Sequence, residues 1–132
     1  MKYLLDTNVC IKILKGNSKN VALKISSIDS RDVLIPSVVR FELFYGAYKS
    51  LKKEATLATL REFLDCFEDA GFNGIISDLC GRIRADLEIA GTPIGPYDMQ
   101  IAAIAIHNNL TLITHNTKEF SRIPDLKIED WE

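Results

Sequence analysis

Three carboxylates stand where apolar structure is expected. The short run Tyr3-Leu4-Leu5 ends directly on Asp6, Glu42 interrupts the stretch from Val38 to Tyr45, and Asp98 precedes the longest apolar stretch, Met99 to Ile106, broken only by Gln100. An isolated carboxylate in apolar surroundings costs several kcal/mol, about 2–7 for a neutral polar group and more for an ion, so such groups are paired, metal-bound or neutralised. At about 100° per residue, Glu42 lies about 40° from Val38 and about 60° from Val39 on a helical wheel. Each acid also has a plain structural role open to it. Asp6 can cap a helix or shape a turn, Glu42 can pair with Arg40 or another base at a sheet edge, and Asp98 can be a solvated first-turn Asp, which a helix N-terminus favours by ~0.3–1 kcal/mol. If the fold brings the three together they repel, and a hard divalent cation such as Mg²⁺ or Mn²⁺ relieves the repulsion through oxygen ligands. An oxygen-lined site of that kind suits phosphoryl chemistry, because the cation polarises phosphate and lowers the pKa of water.

The elements that must position these acids can be read from periodicity. Tyr3-Leu4-Leu5 predicts a buried strand, with Thr7 as the N-cap of a helix carrying Val9, Ile13 and Leu14. Val21, Leu23, Ile25 and Ile28 predict a second helix, and Val33-Leu34-Ile35 a second strand stopped by Pro36. Ser37 is positioned to cap a helix running to about Tyr48, and Leu51 to Phe67 has amphipathic spacing. Gly71-Phe72-Asn73-Gly74 reads as a turn or short irregular strand, followed by a helix from Ile75 to Ala90 that Gly91 and Thr92-Pro93 end. Pro96 to about Asn108 predicts a helix apolar on nearly all sides, hence largely buried. Leu110 to Thr114 is a third strand and Lys127-Ile128 a last one. Short apolar strands separated by helices imply a parallel sheet covered on both faces. In such sheets ligands bind at the carboxyl ends of the strands, where Asp6 lies and where a parallel third strand delivers His115 and Asn116.

Composition sets the frame. A chain of 132 residues with 47% hydrophobic and 26% charged residues fits one ordinary globular domain over residues 1–132. No apolar stretch approaches the ~20 residues that span a bilayer, and Asp6 cuts the apolar opening short of a secretory signal. Cys10, Cys66 and Cys80 are odd in number and widely spaced, which argues against disulfides and a zinc knuckle and predicts buried thiols in a reducing, cytoplasmic setting. The net charge of −2 is unevenly distributed. Residues 1–61 carry eleven Lys/Arg against five Asp/Glu, and residues 62–132 five against thirteen, a hint of one polyanion-facing side.

The residues quoted above also carry a family resemblance. Tyr3 to Asn8, Phe41-Glu42-Leu43 with Tyr45-Gly46, Ile83-Arg84-Ala85, Gly95 to Asp98 with Ile101-Ala102-Ala103, Leu112 to Asn116 and Glu119-Phe120 together resemble, in order and over nearly the whole chain, a PIN domain of the VapC toxin type. The resemblance implies a three-layer α/β/α domain with a short parallel central sheet flanked by helices. It further implies a Mg²⁺-dependent endoribonuclease, with Mn²⁺ as a substitute, that cleaves a structured RNA such as a tRNA or an rRNA loop. The mechanism expected is in-line attack by a metal-activated water, leaving a 5′-phosphate and a 3′-hydroxyl. Carried over by position, Asp6 and Asp98 are the metal ligands and Glu42 completes the acidic cluster. Asn116 falls where many PIN domains have a fourth acid, which lowers the site's negative charge and argues against a second tightly held metal. A cognate VapB-type antitoxin and a homodimer are the implied partners, with no membrane role.

Other residues read more plainly. Arg82 and Arg84 belong to a charged, solvated helix face, Lys12 and Lys15 divide between surface and phosphate contact, and His107 and His115 lack metal-ligand spacing. No glycine-rich phosphate loop occurs. A phosphoacceptor domain would need a second acid close to Asp6, which Thr7-Asn8 does not supply. A catalytically silent PIN-like module that binds RNA or protein is the other reading, and it predicts binding without cleavage at any metal concentration.

Overall fold

A computed structural model describes residues 1–132. In chain order the elements are β1 (Tyr3–Leu5), α1 (Thr7–Lys15), α2 (Lys19–Ser26), a single 3₁₀ turn (Ser30–Asp32), β2 (Val33–Pro36), α3 (Ser37–Tyr48), α4 (Lys53–Leu64), β3 (Glu68–Ala70), α5 (Gly74–Ile89), α6 (Pro96–His107), β4 (Thr111–Ile113), α7 (Thr117–Phe120) and β5 (Lys127–Glu129). The strands form one sheet in the order β3-β2-β1-β4-β5, and every neighbouring pair is parallel. The expected α/β architecture with a short parallel sheet is therefore present.

The chain begins in the middle of this sheet. It steps outward from β1 through β2 to β3, then returns across β1 and steps the other way through β4 to β5. Right-handed crossovers put α1 to α4 on one face and α5 and α6 on the other. The packed helix pairs divide in the same way: α1 with α2 and α3, α3 with α4, and α5 with α6, while α3 also meets α6. Order reversal between β1 and β4 opens the crevice at which doubly wound sheets bind ligands, outside the carboxyl ends of those strands.

The core explains why such short strands persist. Leu4, Leu5, Val33, Ile35, Leu112 and Ile113 are fully buried, and α6 buries Met99 and every residue from Ile101 to Ala105. A helix buried all round must be apolar all round, as its sequence is, and its three alanines allow close approach to its neighbours. Gly91 ends the turn after α5 at φ 74°, a left-handed conformation that glycine adopts without steric cost.

Several local expectations are corrected. Asp6, not Thr7, caps α1: its Oδ1 accepts from the Val9 amide at 2.9 Å. Ser37 is the first residue of α3 rather than its cap, and its hydroxyl donates to Asp69 Oδ1 at 3.3 Å. Strand β2 includes Pro36, and the amphipathic stretch after Leu51 is helical only over Lys53–Leu64. Strand β3 precedes the glycine-rich turn and has no apolar run, because Glu68 and Asp69 are exposed on a sheet edge, where charge protects against edge pairing. Of the cysteines only Cys10 is buried, where burial raises its thiol pKa; Cys80 is half-buried and Cys66 exposed. No helix is long and apolar enough to cross a membrane.

Candidate active site

Register places the first two components. Leu5 pairs with Ile113, so Asp6 and Thr114, one residue beyond, are level at the carboxyl edge, and the Asp6 amide donates to the Ile113 carbonyl at 3.3 Å. Asp6 is buried and Thr114 fully so. The Thr114 hydroxyl accepts from the Asn116 amide at 3.0 Å, and its closeness to Asp6 favours the charged form of that carboxyl.

Glu42 arrives from β2 by way of α3. Five residues into the helix it lies about 7.5 Å along the axis from Ser37, and its Oε1 accepts from the Thr7 hydroxyl at 2.8 Å. Thr7 is covalently next to Asp6, so that bond brings the α3 acid to the Asp6 rim. Arg40, the alternative partner for Glu42, is engaged elsewhere: it pairs with Asp69 at 2.8 Å and its Nη2 donates to the Phe67 carbonyl at 2.9 Å. Asp98 sits in the first turn of α6, behind Gly95 and Pro96.

The electrostatics show these acids to be neighbours. Asp98 is pushed up to about 6, first by burial, then by the negative charges of Glu119, Asp6 and Glu42 in that order. Asp6 is also raised, chiefly by burial, with its bonds to Thr114 and Val9 opposing the shift and the charges of Glu132 and Glu42 adding to it. Glu119 is the residue that sequence reasoning missed as a site component. Its Oε2 accepts from Asn116 Nδ2 at 2.8 Å, so the charge lost by an amide at position 116 is returned three residues later. An acid three positions after Asn116, in the first turn of a helix, was the available signal, since residues so spaced share one helix face.

No Lys, Arg or His pairs with Asp6, Glu42, Asp98 or Glu119. Four carboxylates, an amide and a hydroxyl around one crevice form a hard-oxygen donor set that a divalent cation fits. No three of the acids bring one oxygen each within 4.8 Å of one another; His115, Asp130 and Glu132 alone do so. The His115 group is already satisfied internally, with Asp130 at 3.0 Å from Nδ1 and Glu132 held by Lys12 at 3.2 Å. Arg84 pairs with Glu88 on an exposed helix face, as expected of a solvated stretch. Beside the crevice, α1, α3 and α4 enclose a groove of about 550 Å³ whose walls include Ile11, Leu14, Leu43, Ala47, Leu60 and Glu42.

A doubly wound parallel domain with acids gathered at its switch point is the architecture of a metal-dependent phosphoryl-transfer protein. The PIN domain family matches residues 3–126, and the chain belongs to that family. It is 40% identical, over 99% of its length and 98% of the relative's, to the tRNA(fMet)-specific endonuclease VapC of Salmonella typhimurium. To ribonuclease VapC2 of Rickettsia felis it is 38% identical over 100% of its length and 99% of the relative's. The crystal structure of DNA-bound VapBC from Salmonella typhimurium contains a chain that superposes with a TM-score of 0.93 at 39% identity, covering 100% of this chain and 99% of that one. PIN-domain nucleases are in general dependent on a divalent metal.

Proposed function

We propose that this chain acts as a single PIN domain, a Mg²⁺-dependent endoribonuclease that is the toxin of a VapBC-type pair and cuts structured RNA, with tRNA as the favoured class. The observation that carries the reading is the set of mutually repelling acids without a cationic partner at the switch crevice. Asp6 and Asp98 would hold the cation, Glu42 and Glu119 would complete the negative field, and Mn²⁺ would substitute for Mg²⁺. The chemistry that such a cation supplies is polarisation of the scissile phosphate and a water of lowered pKa.

The chain's own residues prepare that chemistry. The Val9 amide holds Asp6 by a hydrogen bond at 2.9 Å, and the nearby Thr114 hydroxyl favours its charged form. Thr7 orients Glu42, and Asn116 orients Glu119 while offering its amide oxygen to a water or phosphate. The identity to a tRNA(fMet)-specific endonuclease supports a tRNA substrate. Solved relatives occur as VapBC assemblies, which supports a cognate VapB-type antitoxin. The exposed rings of Tyr45 and Tyr48 towards the end of α3 support a homodimer.

Purified protein incubated with total tRNA and rRNA should cut with Mg²⁺ and not with EDTA. Binding without cleavage at every Mg²⁺ and Mn²⁺ concentration would establish the silent-module reading instead.

A further inference from the structure

The molecule contains three close aromatic pairs. Tyr3 with Trp131 and Phe63 with Phe67 pack against the core. The third, Phe41 with Tyr97, does not. Its rings meet edge to face, with centroids 5.9 Å apart and planes at 85°, yet Phe41 is 53% and Tyr97 44% exposed. Neither ring belongs to the core or is packed against it.

The position of the pair is specific. Phe41 immediately precedes Glu42 on α3 and Tyr97 immediately precedes Asp98 on α6, so each ring leaves its helix about 100° round the axis from one of the site acids. The pair therefore joins the two helices that carry Glu42 and Asp98. We propose that Phe41 and Tyr97 form a stacking platform for an unpaired base of the RNA next to the scissile phosphate; this rests on the ribonuclease reading above.

Two physical arguments favour a base. Around a cluster of carboxylates, electrostatics repel a polyanion, so affinity next to the cut must come from contacts insensitive to charge. Stacking is such a contact, and unpaired RNA bases are commonly held on aromatic side chains. Second, the edge-to-face contact holds both rings in place before substrate arrives, so little further ordering is needed on binding. Tyr45, one turn along α3 from Phe41, differs: the Lys49 ammonium lies 4.9 Å from its ring centroid and donates to its hydroxyl at 3.2 Å. No cation covers the Phe41 ring in this way.

The test uses the full chain, as wild type and as Phe41→Ala, Tyr97→Ala, Phe41→Tyr and Tyr97→Phe, on a synthetic stem–loop RNA. Each alanine variant should raise KM by about 5- to 100-fold, the range for loss of one stacked base, with a smaller change in kcat, and each conservative aromatic variant should restore it. Mn²⁺ affinity should stay within twofold, which separates the platform from damage to the acids. In a non-cleaving Asp98→Asn background, 2-aminopurine placed in turn along the loop should be quenched at a position flanking the cut, and Phe41→Ala should abolish that quenching. Wild-type cleavage with unchanged KM in both alanine variants overturns the platform alone. If wild type cuts no RNA, the ribonuclease reading fails, and the fluorescence experiment still decides whether a base stacks here. A shift from dimer to monomer by light scattering in Phe41→Ala, with quenching intact, assigns the pair to a subunit contact and also overturns the proposal.

Discussion

Replacing Asp98 by Asn should stabilise the metal-free domain while abolishing its nuclease activity. Burial and three neighbouring negative charges raise the Asp98 carboxyl from its ordinary 3.8 to about 6. A shift of about 2 units corresponds to roughly 3 kcal/mol at 1.36 kcal/mol per unit. The group is only half-buried, and solvent screening reduces the gain to about 1–2 kcal/mol. The direction follows from proton binding. Between about 4 and 6 the folded state binds more protons than the unfolded one, so stability falls as pH rises through that window, and the full penalty is present above about 6. Asparagine removes the charge at every pH. In EDTA at pH 7.5 the Asp98→Asn variant should melt roughly 4–7 °C above wild type, taking an unfolding entropy of ~2.1 cal/mol/K per residue. Near pH 4 the difference should shrink toward zero. Added Mg²⁺ should stabilise wild type by about 1.4 kcal/mol at ten times its Kd and the variant by much less. Calorimetry in EDTA and in Mg²⁺ at both pH values measures all four quantities. A variant that melts below wild type in EDTA at pH 7.5, or a difference independent of pH, would refute the claim that Asp98 is held against repulsion.

Cleavage itself should decline as pH falls through about 6, where Asp98 takes up a proton and stops attracting a cation; the midpoint of that decline should move to lower pH as Mg²⁺ rises, and a metal-independent midpoint would count against Asp98 as a ligand. Away from the site, Arg40→Ala should cost about 1–3 kcal/mol by leaving the Ile35 and Phe67 carbonyls without their donor, lowering the melting temperature with Mn²⁺ affinity unchanged. Arg40→Lys should recover only part of this loss, because a single ammonium cannot serve two carbonyls and Asp69 in the geometry of a planar fork. An unaltered melt in Arg40→Ala would show that β3 is secured without this side chain.

What could be read from the sequence, and what could not, follows from the range of the interactions involved. Apolar runs such as Leu4-Leu5 and the continuous face of α6 register burial directly, so the sheet and its central helix were legible. Asp6, Glu42 and Asp98 stood out because charge inside apolar spacing is itself the anomaly. Strand β3 gave no such mark: its stability comes from parallel pairing with β2 and from Arg40, which reaches it from another element. The exposed Cys66 and the capping role of Asp6 depend on which way a side chain leaves a turn, which periodicity does not encode. Thr7, Thr114 and Glu119 were overlooked as site residues for a related reason. Hydroxyls and a first-turn acid are ordinary at helix starts and strand ends, and only the register of Leu5 with Ile113 and the bonds to Glu42, Asp6 and Asn116 distinguish them.

The strand order has a consequence for how this molecule comes into being on the ribosome. β1 lies between β2 and β4, so Asp6 enters the chain at its start but lacks half of its sheet until residues 111–113 emerge. The separation from Asp6 to Asn116 represents roughly 5–20 s of synthesis at ~5–20 residues per second. For nearly all of that interval the nascent chain carries an Asp6 without Thr114 beside it, and Asp98, once made, still waits 21 residues for Glu119. Assembly of the acidic crevice is a late event in translation. A crevice built in this order is complete only when the last two strands of the sheet have been made, whereas the helices around the groove between α1, α3 and α4 are all in the chain by residue 64.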